Sequence, residues 1–309
     1  MSDYRINEVF LNAQILNEKV LIVEGVDDVT LYQNMFSEED YEIYAIENLE
    51  KIHSESGEHY QPGCEGVKTA INDLVENEDG NTTLLKENLL GIVDKDVSDY
   101  RNEIFESDIV VNLRHYAIEN HFLVPEAVYL LLKKHTKSGG KLVDQDFANE
   151  LYVEIIGDLN ILYLITLDSL KGAVNSDYTS VFGYSSTDEC YKNMAKVTEL
   201  TDKEAELLEF ADQLNISYNE DFLKNATKGK WALSAFCDFL YNKISEISSK
   251  CRNGEIPQCQ FCRTGSHTHC LYKFSEGITK KTLKTLTFGL HELGSLQYIK
   301  QEVNEKFSN

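Results

Sequence analysis

The chain has 309 residues, enough for one large domain or two ordinary ones, and 42% of them are hydrophobic, as is usual for soluble globular proteins. Its longest apolar run, ILYLITL at 161–167, is too short to cross a bilayer, and its first residues lack a signal-peptide pattern, so we expect a cytoplasmic protein without membrane contact. The net charge of -23 is concentrated in residues 1–120, where 27 acids stand against 8 bases, and this half should repel nucleic acid unless metal ions, a partner or a basic patch offset it.

Strands and helices alternate along the first part of the chain. Apolar runs rich in β-branched residues are typical of buried parallel strands, whereas apolar residues spaced three and four apart are typical of helices. This order predicts an α/β fold with a parallel sheet and right-handed crossovers. The predicted strands are KVLIVEG (19–25), YEIYAI (41–46), NLLGIVDKD (88–96) and DIVVNL (108–113), and the predicted helices are DDVTLYQNMF (27–36) and GVKTAINDLVEN (66–77).

The pattern changes after Pro125. The polar segment 47–65 predicts a loop, KKHTKSGGK at 133–141 predicts a linker, and the rest of the chain is expected to be mainly helical. We therefore expect a catalytic domain over 1–130 and a helical accessory region over 131–309. The predicted helices are PEAVYLLLKKH (125–135), DQDFANELYVEIIGDL (144–159), DKEAELLEFADQL (202–214) and KWALSAFCDFLYNKISEISSK (230–250).

Acids follow two of the predicted strands directly. Glu24 follows VLIV, and Asp94 and Asp96 follow LLGIV, while Asp28 falls in the first turn of the next helix. If these strands are neighbours, their carboxyl ends bring the acids to one sheet edge, where α/β folds bind ligands. In an extended chain, the D-x-D alternation sends Asp94 and Asp96 to the same side.

Carboxylates that converge in this way repel one another unless a cation neutralises them, and Mg²⁺ prefers such oxygen ligands. Helix capping and surface exposure explain either acidic segment when it is taken alone. Two such segments, each at the end of an apolar strand, favour a site for Mg²⁺ or Mn²⁺.

The EG-x-x-D strand end followed by a D-x-D strand end resembles the Toprim domain of topoisomerases, bacterial primases and nucleases of the overcoming-lysogenization-defect (OLD) type. The resemblance covers about residues 15–125 and implies a parallel sheet flanked by helices. It also implies that Glu24 is the catalytic and metal-binding acid and that Asp94 and Asp96 bind Mg²⁺. Asp28 would help to hold a second ion, and two such ions would stabilise the attacking and leaving oxygens of phosphodiester cleavage.

Two later stretches resemble stand-alone Toprim nucleases of anti-phage systems. LRHYAIENHFLVPEAV at 113–128 contains Glu119, which the resemblance places beside the metal site, and NATKGKWALSAF at 225–236 contains Lys228 and Lys230, either of which would approach the scissile phosphate. The resemblance further implies a PARIS-type effector. An ABC-type ATPase would hold it inactive, a phage protein would trigger its release, and the freed nuclease, as a homodimer, would cleave host tRNA.

Two alternatives stay open. An OLD-type DNA endonuclease would use the same chemistry on a different substrate, and a catalytically silent Toprim subunit would only dock on the ATPase. The chain is too short for the strand-passage apparatus of topoisomerases, and its cysteine cluster comes last, whereas a primase has its zinc module before the catalytic core. A hydrolytic nuclease is therefore preferred.

A cysteine-rich segment, CRNGEIPQCQFCRTGSHTHCLYKF at 251–274, is the last feature that indicates a site. In a cytoplasmic protein its thiols are expected to be reduced. Cys259 and Cys262 form a C-x-x-C half-site, which His267 or His269 and Cys270 could complete as a structural zinc site. A loop with free thiols is the alternative.

The same region is basic in an otherwise acidic chain, with seven bases against two acids over residues 250–284. Neutralisation of phosphates supplies most non-specific affinity for nucleic acid, so this segment is a candidate contact to a nucleic-acid backbone. A solvated basic face is the alternative. The candidate residues are Arg252, Arg263, Lys273, Lys280, Lys281 and Lys284.

Single residues near these motifs have simpler interpretations as well. Gly229, between Lys228 and Lys230, could let the backbone approach a phosphate, or the three residues could simply begin a solvated helix. His115 is expected to be structural more often than catalytic, and Trp231, the single tryptophan, is expected in the core.

Overall fold

The structure is a computed structural model that describes residues 4–46, 52–54, 57–78, 80–138 and 142–308. Two compact units are present. The first contains residues 1–114 and 294–309, and the second contains residues 115–293. The boundary between the units thus falls at residue 114, where residue 130 was expected, and residues 294–309 belong to the first unit, although the whole C-terminal part was expected in the accessory region.

A parallel sheet forms the centre of the first unit, which confirms the α/β prediction. Within the described residues it has four strands in the order β3-β2-β5-β6, and a separate two-residue parallel pair joins β1 to β4. The strands are β1 (Tyr4–Arg5), β2 (Lys19–Val23), β3 (Tyr41–Ala45), β4 (Ile52–His53), β5 (Leu89–Val93) and β6 (Val110–Asn112).

The two central strands are apolar because helices cover the sheet. All five residues of β5 are buried, and in β2 every residue after Lys19 is buried. Gly91 in β5 permits a close approach of the third helix, since a Cβ there would lie 3.1 Å from Val67 and 3.2 Å from Ile71. The helices that lie along the chain among these strands are α1 (Ile6–Leu16), α2 (Val26–Met35), α3 (Cys64–Asn77), α4 (Thr82–Lys86) and α5 (Ser98–Arg101).

Helices make up most of the second unit. The longest is α12, which buries Trp231 completely at its start, as expected for the single tryptophan. The helices are α6 (Pro125–His135), α7 (Gln145–Asp158), α8 (Ile161–Val174), α9 (Met194–Thr201), α10 (Glu204–Gln213), α11 (Glu220–Asn225), α12 (Gly229–Asn253), α13 (Gln260–Arg263) and α14 (Lys280–Phe288), with 3-10 helices at Ile118–Phe122, Cys190–Lys192 and His267–His269.

The chain ends in the first unit with a 3-10 helix, Gly294–Leu296, and α15 (Gln297–Ser308). The apolar face of α15 buries Ile299, Val303 and Phe307. Polar contacts fix it at both outer strands: Asn304 accepts a 2.7 Å hydrogen bond from the Tyr41 hydroxyl, and Lys306 donates a 2.9 Å bond to the Asp108 carbonyl. This helix therefore completes the packing of the sheet.

Most predicted elements are present, and the differences have local causes. The predicted loop 47–65 contains β4, while residues 47–51, 55 and 56 lie outside the described residues. The predicted linker 133–141 begins inside α6, and Lys137 donates a backbone hydrogen bond to the Lys273 carbonyl at 3.0 Å; residues 139–141 lie outside the described residues. In the part of the chain that is described, no helix has both the length and the apolar character needed to cross a membrane.

Candidate metal centre

The topology of the sheet creates a crevice at the ends of β2 and β5. The chain passes from β2 outward to β3 and later enters β5 on the other side of β2, so the direction of winding reverses between β2 and β5. Open α/β sheets bind ligands outside the carboxyl ends of the strands at such a point. Glu24 directly follows β2 and Asp94 directly follows β5.

A short hydrogen bond joins the two strand ends. The backbone N–H of Asp94 donates to Oε1 of Glu24 at 2.6 Å. The condition that these strands are neighbours is met, because β2 and β5 are paired in parallel, and the Glu24 side chain reaches the end of β5. Asp94 and Asp96 do not lie in an extended segment, so the alternation expected of an extended chain does not apply to them: β5 ends at Val93, and Asp96 has a φ of 50°, a left-handed conformation that Asp tolerates in turns.

Asp28 lies in the first turn of α2, as predicted. Its carboxylate accepts a 3.1 Å hydrogen bond from the Gly25 backbone N–H, so it caps the helix. Its charge also reaches Glu24, whose pKa it raises. Asp28 therefore caps α2 and also contributes negative charge to the acidic edge.

The electrostatics of the edge centre on Glu24. The pKa of Glu24 is raised to about 8, mainly by burial and to a smaller extent by the negative charges of Asp96 and Asp28. The Asp94 backbone hydrogen bond and the positive charge of Lys68 act in the opposite direction. A carboxyl held this way is protonated near neutral pH until a counter-charge arrives.

Residues from the start of α3 complete the surroundings of this edge, and the sequence analysis did not identify them. The Cys64 thiol donates to the Asp94 carbonyl at 3.8 Å, and burial with the nearby Glu24 charge raises its pKa to about 12, so it stays a thiol. Lys68 stands one turn later and pairs with Glu65 at 2.9 Å. A Cβ on Gly63, whose φ of +87° favours glycine, would lie 3.9 Å from Oε2 of Glu24. Their spacing of four residues, which places Cys64 and Lys68 on one face of a helix, is the feature of the sequence that could have indicated them.

The donor set at this edge suits a hard divalent cation. Glu24, Asp28, Asp94 and Asp96 offer only carboxylate oxygens, the ligands that Mg²⁺ prefers, and the raised pKa of Glu24 shows that positive charge would stabilise its ionised form. In the described residues these carboxylates do not form a group as compact as the four cysteines described below.

Residues 115–128 and 225–236, which contain Glu119, Lys228 and Lys230, meet inside the second unit. The fully buried Asn120 donates to the carbonyls of Leu223 and Thr227, both at 3.0 Å, and accepts from the Ala117 N–H at 3.1 Å. Glu119 is 8% exposed, and burial raises its pKa against the lowering effects of its own backbone N–H and of Lys230. The second unit thus holds Glu119 beside the start of α12, whereas Glu24, Asp28, Asp94 and Asp96 belong to the first unit.

Gly229 has a packing role rather than the proposed phosphate-approach role. It is buried, and a Cβ there would lie 2.5 Å from Oε2 of Glu119 and 2.9 Å from Oδ1 of Asn120. Lys228 is half-buried and donates to the Ser186 carbonyl at 3.1 Å, and burial lowers its pKa. Lys230 is exposed.

The cysteine segment forms a different ligand set from the predicted one. The sulfurs of Cys251, Cys259, Cys262 and Cys270 lie within 4.8 Å of one another, and all four residues are buried. The prediction that His267 supplies the fourth ligand is wrong, because α12 extends to Asn253 and carries Cys251 into the group.

The candidate nucleic-acid contacts do not form a single surface of free charges. Lys284 pairs with Asp188 at 2.7 Å and Lys280 lies 4.0 Å from Asp238, while Arg263 donates to the Gln258 carbonyl. Arg252 and Lys273 instead line a cleft of about 500 Å³. Lys281 is exposed. Of the six candidates, Arg252 and Lys273 are thus the two that line this cleft, together with the acidic Glu276.

Two comparisons with known proteins were negative. No protein-family model matches the chain, and no curated protein matches it. The relationship to Toprim proteins therefore stays a prediction that depends on the motifs quoted above.

The raised pKa of Glu24 predicts how stability depends on pH in EDTA. Between about pH 4.5 and about pH 8 the folded protein keeps a proton that the unfolded chain has released, so raising the pH favours unfolding. The free energy of unfolding should fall across this window, by on the order of 5 kcal/mol relative to the Glu24→Gln variant, since one pKa unit corresponds to about 1.4 kcal/mol. Urea unfolding of both proteins at a series of pH values measures this difference.

Glu76→Gln is the matched control, since Glu76 is exposed on α3. It should keep the wild-type dependence on pH. Adding Mg²⁺ at pH 8 should stabilise the wild type more than Glu24→Gln, because the ion favours the ionised carboxylate. Parallel curves for wild type and Glu24→Gln between pH 5 and 8 would contradict this electrostatic description.

Gly229→Ala should destabilise the protein by about 1–3 kcal/mol, because the new methyl group overlaps Glu119 and Asn120 in a packed site. Gly157→Ala, on α7, is the control: its Cβ would meet nothing within 4 Å, so a helix-favouring change of up to about 1 kcal/mol is expected there. Chemical unfolding measures both, and equal stabilities for the two variants would contradict the assigned packing role.

Proposed function

We propose that this protein is a metal-dependent phosphodiester hydrolase, a nuclease of the Toprim type. The observation that supports this most is the hydrogen-bonded meeting of Glu24 and Asp94 at the ends of two adjacent parallel strands, at the point where the sheet reverses its winding. Half-buried carboxylates that follow two adjacent strands at this edge would serve as ligands of a divalent cation.

Glu24, Asp94 and Asp96 would hold a Mg²⁺ or Mn²⁺ ion, and Asp28 would support a second one. When bound, such an ion supplies positive charge to the phosphate oxygens and makes water a better nucleophile. The chain's own residues fix the geometry: the Asp94 N–H orients the Glu24 carboxylate, and the ends of β2 and β5 are rigid because both strands are buried in the sheet.

Two further features of the first unit would favour a phosphodiester at this edge. The α2 helix begins at Val26, directly after Glu24 and Gly25, and a helix N-terminus attracts anions. Lys68 adds a positive charge that already acts on Glu24. Both would offset the repulsion between the acidic edge and the substrate.

The substrate and the partners follow from the resemblance to the AriB subunits of PARIS anti-phage systems. On that basis, we propose that the nuclease cleaves host tRNA in preference to DNA, acts as a homodimer, and is held inactive by an ABC-type ATPase until a phage protein triggers its release. The roles that the resemblance gives to Glu119, Lys228 and Lys230 stay predictions. The basic pair Arg252 and Lys273 offers a place for nucleic-acid backbone in the second unit.

Cleavage of total RNA and plasmid DNA by the purified chain, in Mg²⁺ or Mn²⁺ and in EDTA, tests this function. Loss of specific tRNA bands that requires the metal is expected. Glu24→Gln and Asp94→Asn should each lower the rate by at least about a hundredfold, since each removes a charge from the metal-binding set.

Glu76→Gln is again the control and should cleave at the wild-type rate. If the plasmid is nicked or linearised while tRNA stays intact, the substrate is DNA, and the protein is a DNA endonuclease instead of a tRNase. Equal cleavage by wild type and Glu24→Gln would overturn the assignment of the site. Absence of cleavage even with the partner ATPase and the phage trigger would favour a docking subunit without activity.

A further inference from the structure

Four cysteines form the centre of a small apolar cluster in the second unit. Cys251, Cys259, Cys262 and Cys270 are 0–3% exposed, and their sulfur atoms all lie within 4.8 Å of one another. Tyr272 is the other buried member of the cluster, and half-buried apolar side chains pack around it. Sulfur atoms thus occupy the place where a small domain would otherwise have aliphatic side chains.

Local backbone geometry brings the four residues together. The long helix α12 ends at Gly254, whose φ of 77° reverses the chain, and the next N–H, from Glu255, returns to the Lys250 carbonyl at 3.0 Å. This reversal carries Cys259 back to the end of α12, where its N–H donates to the Cys251 sulfur at 3.3 Å.

The C-x-x-C turn adds the third sulfur, and a short 3-10 helix adds the fourth. Arg263 donates its N–H to the Cys259 carbonyl at 3.0 Å, which closes the turn between Cys259 and Cys262. Cys270 then follows the 3-10 helix at His267–His269, with its N–H on the His267 carbonyl at 3.2 Å. The sulfurs therefore come from four separate points of the chain and converge on one volume.

We propose that these four cysteines bind one structural Zn²⁺ ion as a tetrahedral tetrathiolate. Zn–S bonds of about 2.3 Å place the sulfurs of a regular tetrahedron about 3.8 Å apart, which is close to the observed grouping. Binding forms four Zn–S bonds and releases the four thiol protons to solvent, so the step needs no oxidant or reductant.

A single zinc ion suits the site better than the other chemistries of four cysteines. Two disulfides would need an oxidant, and all four residues are free thiols in the structure. A multi-iron cluster would hold the sulfurs further apart than a single ion does. Soft thiolate sulfur is the ligand that selects zinc among the common cellular divalent ions.

The segment itself needs a cross-link to be ordered. Between α12 and α14 the described chain has only α13 and one 3-10 helix, each of three or four residues, and such short elements do not stabilise themselves. Small regions of this kind use metal ions or disulfides in place of a large core. Zinc would also fix the positions of Arg252, which directly follows Cys251, and Lys273, which lies three residues after Cys270; both line the 500 Å³ cleft.

Elemental analysis of the full-length chain, expressed without a metal-binding tag and purified without chelator, tests the proposal. One zinc per chain is expected. Cys259→Ser and Cys262→Ser should each reduce the zinc content to a small fraction of that value. Cys190→Ser is the matched control, because Cys190 is a buried free thiol of the same unit outside the group, and it should keep the full zinc content.

Two measurements on the wild type keep the test valid if a cysteine variant fails to fold. Replacement of zinc by Co²⁺ should give the visible absorption of a tetrahedral tetrathiolate, in proportion to the cobalt bound. Thiol titration after denaturation in a metal chelator should find all seven cysteines free. A count of three free thiols would reveal two disulfides and overturn the proposal. Stoichiometric iron in place of zinc, or reduced protein that takes up neither zinc nor cobalt, would overturn it as well.

Discussion

The buried carboxylate of Glu24 is the constraint on which the rest of the first unit depends. A charged group at the end of a central strand is unfavourable unless something compensates its loss of hydration. Here the Asp94 N–H gives partial compensation, and the pKa of Glu24 still rises to about 8. Additional positive charge near Glu24 would therefore favour its ionised form at neutral pH, as a bound cation would in the proposed function.

The sheet topology explains why the acids gather at this position. Parallel strands that carry helices on their faces bring their carboxyl ends to one edge, and the reversal between β2 and β5 leaves the crevice open there. The buried side chains of β2 and β5 hold the strand ends in place, which keeps the Asp94 N–H within hydrogen-bonding distance of the Glu24 carboxylate. The proposed zinc site of the second unit depends on the same effect: a cation would stabilise the ionised form of its four clustered, buried thiols.

The sequence was sufficient for the strands, the helices that alternate with them and the acids at the strand ends, because each leaves a local pattern. It was not sufficient where the outcome depends on distant contacts. The apolar segment of α8 is buried over most of its circumference, so it has no amphipathic signature. The packing role of Gly229 depends on Glu119 and Asn120, which are more than a hundred residues away in the chain. Spacing favoured His267 over Cys251 as a zinc ligand, and only the length of α12 reverses that choice.

Direct binding of Mn²⁺ tests the central claim, that the acidic edge of β2 and β5 is a divalent-cation site. The free ion can be measured by electron paramagnetic resonance while Mn²⁺ is added to metal-free wild type, Glu24→Gln and Glu76→Gln at pH 8. Saturable binding of one or two ions by wild type and Glu76→Gln is predicted, with affinity at least about tenfold weaker in Glu24→Gln. Equal binding by all three proteins, or no binding by the wild type, would contradict the account.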